Sequence, residues 1–173
     1  MASKTQLAFA RQVYAAAVEA KTEIDPAFVT AQAMLETGWG SRVIGKANLF
    51  GITKGSQWDG DIVMVKTHEY FKTPKQKFKE PDRIVSVCKV AGKNLWYYTV
   101  MRAFKDFDSI GDCLKEHERL FQKPGYADAW PCRKDPFKFA QKICDGVGCK
   151  YATDPTYLTT ITSIIKTIRR KCV

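Results

Sequence analysis

The stretch AMLETGWGSRVIGKANLFGITKG, residues 33–55, contains a single carboxylate, Glu36, set between an apolar run and a turn rich in glycine. A helix over 26–37 would place Glu36 on the stripe of Val29, Gln32 and Ala33, a mostly apolar face. It would also place it in the last helical turn, where unpaired carbonyls repel negative charge. Both conditions favour the acid over the carboxylate. A carboxyl group kept protonated near neutral pH can donate its proton to a departing oxygen, which is general acid chemistry. Position alone favours the plainer reading, a side chain that points to solvent, because perturbed acids are uncommon away from functional sites.

Helices must hold such an acid in place. Residues 3–20 carry Leu7, Phe9, Val13, Tyr14, Ala17 and Val18 at three-to-four spacing, which predicts an amphipathic helix. Asp25-Pro26 is a cap followed by a proline at the first helical position; it opens a second helix that Gly38 and Gly40 stop. From Asn48 to Gly60 the chain is rich in turn residues. Three runs dense in β-branched and aromatic residues follow, DIVMVKTHEYF at 61–71, RIVSVCKV at 83–90 and LWYYTVMRAF at 95–104. They predict a small antiparallel sheet in which the third run pairs with the first or the second. The segment 72–94, bracketed by prolines and glycine, is the candidate insertion.

Asp108 is predicted to cap a helix over 109–122 with Cys113, Leu114, His117 and Phe121 on one side, ended by Pro124 and Gly125. A shorter helix is expected from Pro136 to Asp145, with Gly146 and Gly148 behind it. A last helix is expected to start at Asp154-Pro155, to carry Tyr157, Leu158, Ile161, Ile164, Ile165 and Ile168, and to place Arg169, Arg170 and Lys171 near its negative end. The class is α+β, predominantly helical.

At 173 residues and 45% hydrophobic, the chain can bury one substantial core and is short for two, so one domain over 1–173 is expected. No apolar run reaches the roughly eighteen residues of a membrane span, and the start, MASKTQ, is polar, which predicts a chain without a conventional export signal. Twenty-eight Lys and Arg against eighteen Asp and Glu give +10, a charge suited to nucleic acid, anionic lipid or an acidic wall polymer. The cysteines at 88, 113, 132, 144, 149 and 172 show no Cys-x-x-Cys spacing, and His68 and His117 are the only histidines. That argues against a zinc site. Free buried thiols are expected of a chain stored in a reducing compartment.

The segment AQAMLETGWGSRVIGKANLFGITKG resembles the signature of glycoside hydrolase family 73, the endo-β-N-acetylglucosaminidases that include the hydrolase domains of flagellar rod-cap proteins and many autolysins. The residues that carry the likeness are Ala31, Gln32, Leu35, Glu36, Thr37, Gly38, Trp39 and Gly40, then Asn48, Phe50 and Gly51. YATDPTYLTTITSII, from Tyr151, is similar to the family's closing segment, and a weaker match falls on Gly55 to Gly60. KTHEY at 66–70 resembles its Thr-x-Glu-Tyr strand. The likeness covers about residues 25–170, and the segment 72–94 is longer than the family's usual hairpin.

The resemblance implies a lysozyme-like fold with a small antiparallel β lobe beside the cleft, and three catalytic residues. Glu36 becomes the general acid. Glu69 becomes the second carboxylate, the base that activates water, with a route through the sugar's own N-acetyl group left open. Tyr151 would orient that N-acetyl group or the water. Trp39 would stack on a sugar or serve as a buried wedge, and Phe50 would line the cleft. Asn48 would line it too or only tie a turn. Thr153, Asp154 and Pro155 read as helix-start residues, and His68 should face away from Glu69.

The activity so implied is hydrolysis of peptidoglycan at its N-acetylglucosaminyl β-1,4 bond, without metal or cofactor. Muramidase or lytic transglycosylase-type cleavage of the same polymer is the alternative. The expected picture is a monomeric bacteriophage endolysin, made in the host cytoplasm and acting at the wall. Its anionic-surface contacts would be Lys72, Lys75, Lys77 and Lys79 and the tail around Arg169. A nucleic-acid-binding module using Trp96, Tyr97 and Tyr98 is the rival, but no helix-turn-helix, zinc-finger or RNA-recognition signature accompanies it, so no specific nucleic acid is expected. An inert wall-binding protein is disfavoured because both Glu36 and Glu69 are present.

Overall fold

The computed structural model describes residues 2–145, 151–152 and 154–173. Gly146, Gly148, Cys149 and Thr153 lie outside the described residues. The chain divides into two compact units, Met1–Phe50 with Phe107–Val173, and Gly51–Asp106.

The first unit is helical. Helix α1 (Lys4–Glu19) opens on a capping box in which Ser3 and Gln6 satisfy each other's backbone N–H groups. Helix α2 (Pro26–Thr37) opens as expected, with Asp25 accepting from the Ala27 N–H and Pro26 at the first position. Its residues from Ala27 to Met34 are all buried, so it is the central helix, packed against α1 and against α5 (Tyr157–Lys171). Phe28 of α2 meets Phe121 of α3 (Ile110–Phe121) and Phe139 of α4 (Pro136–Asp145) edge to face, at 6.3 and 4.9 Å between centroids. Glu118, 4% exposed on α3, accepts from the backbone N–H groups of Glu23 and Ile24 and so fixes the turn that aims α2.

Two predicted helix starts shift by a residue or two. Ser109, not Asp108, caps α3 by accepting from the Asp112 N–H at 3.1 Å, while the Asp108 carboxylate pairs with Lys46 at 2.9 Å. The last helix starts at Tyr157 rather than at Pro155. Asp154 accepts both the N–H and the hydroxyl of Thr156 at 2.8 Å, a local turn that competes with the helical cap.

The second unit is a three-stranded antiparallel sheet in the order β1 (Ile62–Phe71), β3 (Trp96–Lys105), β2 (Arg83–Lys89). The third extended run therefore pairs with both of the others, and the segment 72–94 contributes an edge strand rather than a plain insertion. Register places Phe71, Glu69, Thr67, Val65 and Val63 opposite Trp96, Tyr98, Val100, Arg102 and Phe104 on one face. Tyr98 is fully buried; it donates its hydroxyl to the Thr73 carbonyl and accepts from the Gln76 N–H. Together with Phe71 and Phe78 it pins the segment after β1 across that face. Trp96 and Tyr98 thus lie opposite to Tyr97, and the three aromatics form no common platform.

Among the described residues no helix is long and apolar enough to cross a membrane, and no group of three metal-ligating side chains converges. The five described cysteines carry free thiols, but only Cys113 is buried; Cys88 is exposed and Cys132, Cys144 and Cys172 are half-buried. The expectation of buried thiols is thereby corrected to one residue.

Candidate active site

The signature sequence builds a helix end. After Thr37, Gly38 takes the left-handed conformation at φ 58°, and the N–H groups of Gly38 and Trp39 return to the carbonyls of Leu35 and Met34. Trp39 and Gly40 continue left-handed, at φ 60° and 87°. A side chain on Gly40 would meet the Phe9 ring at 2.6 Å, so only glycine fits there. Thr37 is buried, donates to the Ala33 carbonyl at 2.6 Å and accepts from the Gly40 N–H at 2.9 Å, which locks the turn from inside.

Glu36 is carried on the last turn of this helix. Val29, Gln32 and Ala33 of its stripe are buried, whereas Glu36 itself is exposed. The expected nonpolar niche is therefore not formed by its own helix face. Its partner is Tyr151, whose hydroxyl donates to Glu36 Oε1 at 3.4 Å. Burial, then the neighbouring Tyr157 and the Glu36 carboxylate, push the Tyr151 phenol well above its ordinary range. It stays a proton donor at any working pH. The Tyr151 ring stacks against Phe121, 5.5 Å away at 30°, so the hydroxyl is aimed by the core.

Behind this pair runs a buried polar chain that the sequence reading did not single out. His117, 3% exposed, lies 2.9 Å from Gln32 Oε1, and the Gln32 amide donates to the Tyr157 hydroxyl at 3.0 Å. The accepting oxygen fixes the proton on His117 Nε2. Burial lowers the imidazole to about 3, so it is neutral. Phe50 covers one face of it, 3.6 Å away and nearly parallel. Gln32 and Phe50 are both signature residues, but His117 lies 85 residues beyond Gln32, so no local spacing signalled the contact.

Glu69 belongs to the sheet unit. Arg102, opposite Val65 on β3, reaches Glu69 Oε1 at 2.6 Å and Asp82 Oδ2 at 2.8 Å. Asp82 also accepts from the Ala103 N–H at 2.7 Å. One guanidinium thus holds two carboxylates, each less than a third exposed, and the segment pinned by Tyr98 is what delivers Asp82 to it. Arg102 and Asp82 carried no motif signal.

Trp39 is half-buried and lines a groove of about 510 Å³ with Leu35, Thr159, Thr160 and Ser163. Asn48 is 1% exposed, and its backbone closes a bridge to Ile44, so its side chain is enclosed. Phe50 is half-buried against His117. His68 is exposed on the face opposite to Glu69, stacked on Tyr97. A larger cavity of about 890 Å³ opens between α1 and the start of α3; Lys46 and Ala47 of the signature segment line it, but neither Glu36 nor Tyr151 does.

A family profile described as Glucosaminidase, mannosyl-glycoprotein endo-beta-N-acetylglucosaminidase, matches residues 12–170. The peptidoglycan hydrolase FlgJ of Vibrio parahaemolyticus is 30% identical over 141 residues, which is 78% of this chain and 37% of that protein. A probable N-acetylmuramidase of Lactococcus lactis subsp. cremoris is 31% identical over 143 residues, 81% of this chain and 28% of that protein. The chain therefore spans about a third of the length of these relatives. A C-terminally truncated glycoside hydrolase domain of FlgJ from Salmonella typhimurium superposes with a TM-score of 0.68 over 95% of this chain and 98% of that one. At 22% identity this speaks to the fold.

Proposed function

The chain belongs to the glucosaminidase family, and on that footing we propose that it hydrolyses the glycan strand of peptidoglycan at the N-acetylglucosaminyl β-1,4 bond. The observation that carries the reading is the pair at the end of α2, a phenol kept protonated by burial and aimed at Glu36. In the proposed mechanism Glu36 protonates the departing glycosidic oxygen, and Tyr151 holds its carboxyl in orientation or steadies the substrate's N-acetyl group. Glu69 activates water, its Oε1 held by Arg102 and its other oxygen the one that would take the proton. The pairing of Glu69 with Glu36 rests on the likeness of its strand to the family's. Trp39 and its groove, Phe50 and Asn48 are proposed to contact or support the glycan.

We further propose that residues 1–173 act as one catalytic domain, a reading supported by the family profile running across both units, and that the chain works as a monomer. A lytic role at the wall, of the endolysin kind, is the finer part of the reading. It is supported by the +10 charge and by the exposure of Lys72, Lys75, Lys77 and Lys79, which suit an anionic envelope.

A turbidity assay on outer-membrane-permeabilised cells tests the activity: the parent clears them, and Glu36→Gln loses about 10²- to 10⁴-fold, the usual weight of a general acid. Equal clearing by the two would overturn the reading. The name of the lactococcal relative favours a second bond, and mass spectrometry of the fragments decides it. A reducing N-acetylglucosamine end supports the proposal, and a reducing N-acetylmuramic acid end reassigns the enzyme as a muramidase.

A further inference from the structure

The sheet has a second face, opposite to Glu69, that the proposed mechanism does not use. There Tyr70, Tyr97 and His68 form a cluster: His68 and Tyr97 stack at 5.2 Å and 7°, and Tyr70 leans on Tyr97 at 5.1 Å and 54°. Tyr70 nevertheless remains 60% exposed. A large aromatic ring propped by a neighbour and left in water has already lost its rotamer freedom, so a ligand that covers it is met by a rigid surface.

Register extends this face in order. Next to the aromatic row come Thr99 and Ser86, directly opposite each other, and beyond them Lys66 and Arg83 flank Met101, one on each outer strand. All of these but Thr99 and Met101 are exposed. One end therefore offers apolar rings, the middle offers hydroxyl groups and the far end offers two cations. A glycan strand bearing peptide stems has the matching chemistry in the matching order: sugar rings with apolar C–H faces, hydroxyls, and free carboxylates on the stems. A polynucleotide would need cations tracking every phosphate, whereas the centre of this face is neutral.

We propose that this face of the sheet is a second, non-catalytic site that holds peptidoglycan, with sugars on Tyr70 and Tyr97 and stem carboxylates on Lys66 and Arg83. The proposal rests on peptidoglycan being the substrate, but not on which residues cleave it.

The test is co-sedimentation with purified insoluble peptidoglycan in the Glu36→Gln background, which leaves the polymer intact. Tyr70→Ser and the double variant Lys66→Ser/Arg83→Ser should each bind roughly tenfold more weakly, the loss typical of removing an anchor. Because these side chains are exposed, the fold should survive, and Tyr70→Ser in the Glu36-containing enzyme should cleave a short soluble glycan as the parent does. Cys88, exposed and directly opposite Tyr97, supplies an independent readout. Added peptidoglycan should slow its alkylation, followed by mass spectrometry of its peptide.

Parental binding by the variants, or alkylation of Cys88 unaffected by the polymer, would overturn the proposal. So would tighter, Tyr70-dependent binding to an oligodeoxythymidylate, which would reassign the face to single-stranded nucleic acid. Neither result touches the clearing assay, so failure here and failure of the hydrolase reading are separately visible.

Discussion

Replacing His117 by glutamine tests whether the helical unit depends on a histidine that must stay neutral. The imidazole is enclosed by the Phe50 ring on one face and the edge of Phe121, 5.3 Å away, with Gln32 accepting its one proton. Burial lowers it from 6.5 to about 3. In the unfolded chain it titrates near 6.5, so between these values the unfolded state takes up a proton that the folded state refuses. The sign follows: this contribution is complete above pH 6.5 and is lost as the pH falls, by about 1.4 kcal/mol for each unit. From pH 6.5 to pH 5 the loss is about 2 kcal/mol, a large part of the roughly 5–15 kcal/mol that holds a domain together.

Urea unfolding at pH 7 and at pH 5, for the parent, His117→Gln and His68→Gln, reads this directly. The glutamine variant will be less stable than the parent at pH 7, because it loses the stack on Phe50. The informative quantity is therefore the change between the two pH values. The parent should lose about 2 kcal/mol more than His117→Gln over that interval. His68 is exposed on the sheet, and its variant should follow the parent. Equal losses in the parent and in His117→Gln would refute the reasoning.

Tyr151→Phe keeps the ring on Phe121 and removes the hydroxyl, so hydrolysis should fall about tenfold to a hundredfold while the melting temperature holds; an unchanged turnover would remove Tyr151 from the site. Arg102→Met leaves Glu69 and Asp82 facing each other without a cation. Stability by urea titration should drop by about 1 kcal/mol and clearing should fall further than that drop explains; activity at the parental level would separate Glu69 from catalysis. Gly40→Ala puts a methyl group 2.6 Å from the Phe9 ring at φ 87° and should cost about 2 kcal/mol or more. An unchanged midpoint would mean that the turn is not built as described.

The elements were legible where local chemistry was unopposed. Asp25-Pro26 is a cap and first-turn pair in which Asp25 Oδ1 takes the Ala27 N–H at 2.8 Å while Arg169 approaches only the other oxygen, at 3.8 Å, and α2 opens there. Asp154-Pro155 has the same letters, but the Thr156 hydroxyl and N–H both reach the carboxylate first, so the helix starts at Tyr157. The three extended runs were legible from their composition, and the order of pairing was not. The central place of β3 depends on Arg83–Lys89 returning along it, which no local pattern states. The setting of Glu36 was misjudged for a related reason. A helical stripe tells which residues share a direction, and Val29, Gln32 and Ala33 are indeed buried, but at the last turn the burial stops and Glu36, still helical, is exposed. Arg102 and Asp82, twenty residues apart in sequence, meet through tertiary contacts: Tyr98 ties down the segment after β1, and Asp82 accepts from the Ala103 N–H.

Most of the signature around Glu36 is spent on architecture. Thr37, Gly38 and Gly40 make a turn that only a small, left-handed backbone can follow, and Gln32 and Phe50 enclose the neutral His117. What these residues leave at the surface is one carboxyl group at a fixed point on a helix end, with a phenol aimed at it from a ring locked into the core. An acid tethered to a mobile loop would lose orientation with every excursion, and orientation is worth several kcal/mol of a reaction barrier. The same logic holds on the sheet, where Glu69 is fixed by a guanidinium that is itself fixed by Asp82. The carboxyl group of Glu36, exposed at a helix C-terminus where negative charge is disfavoured, adds nothing to stability, so the turn built around it is better explained by a demand for position.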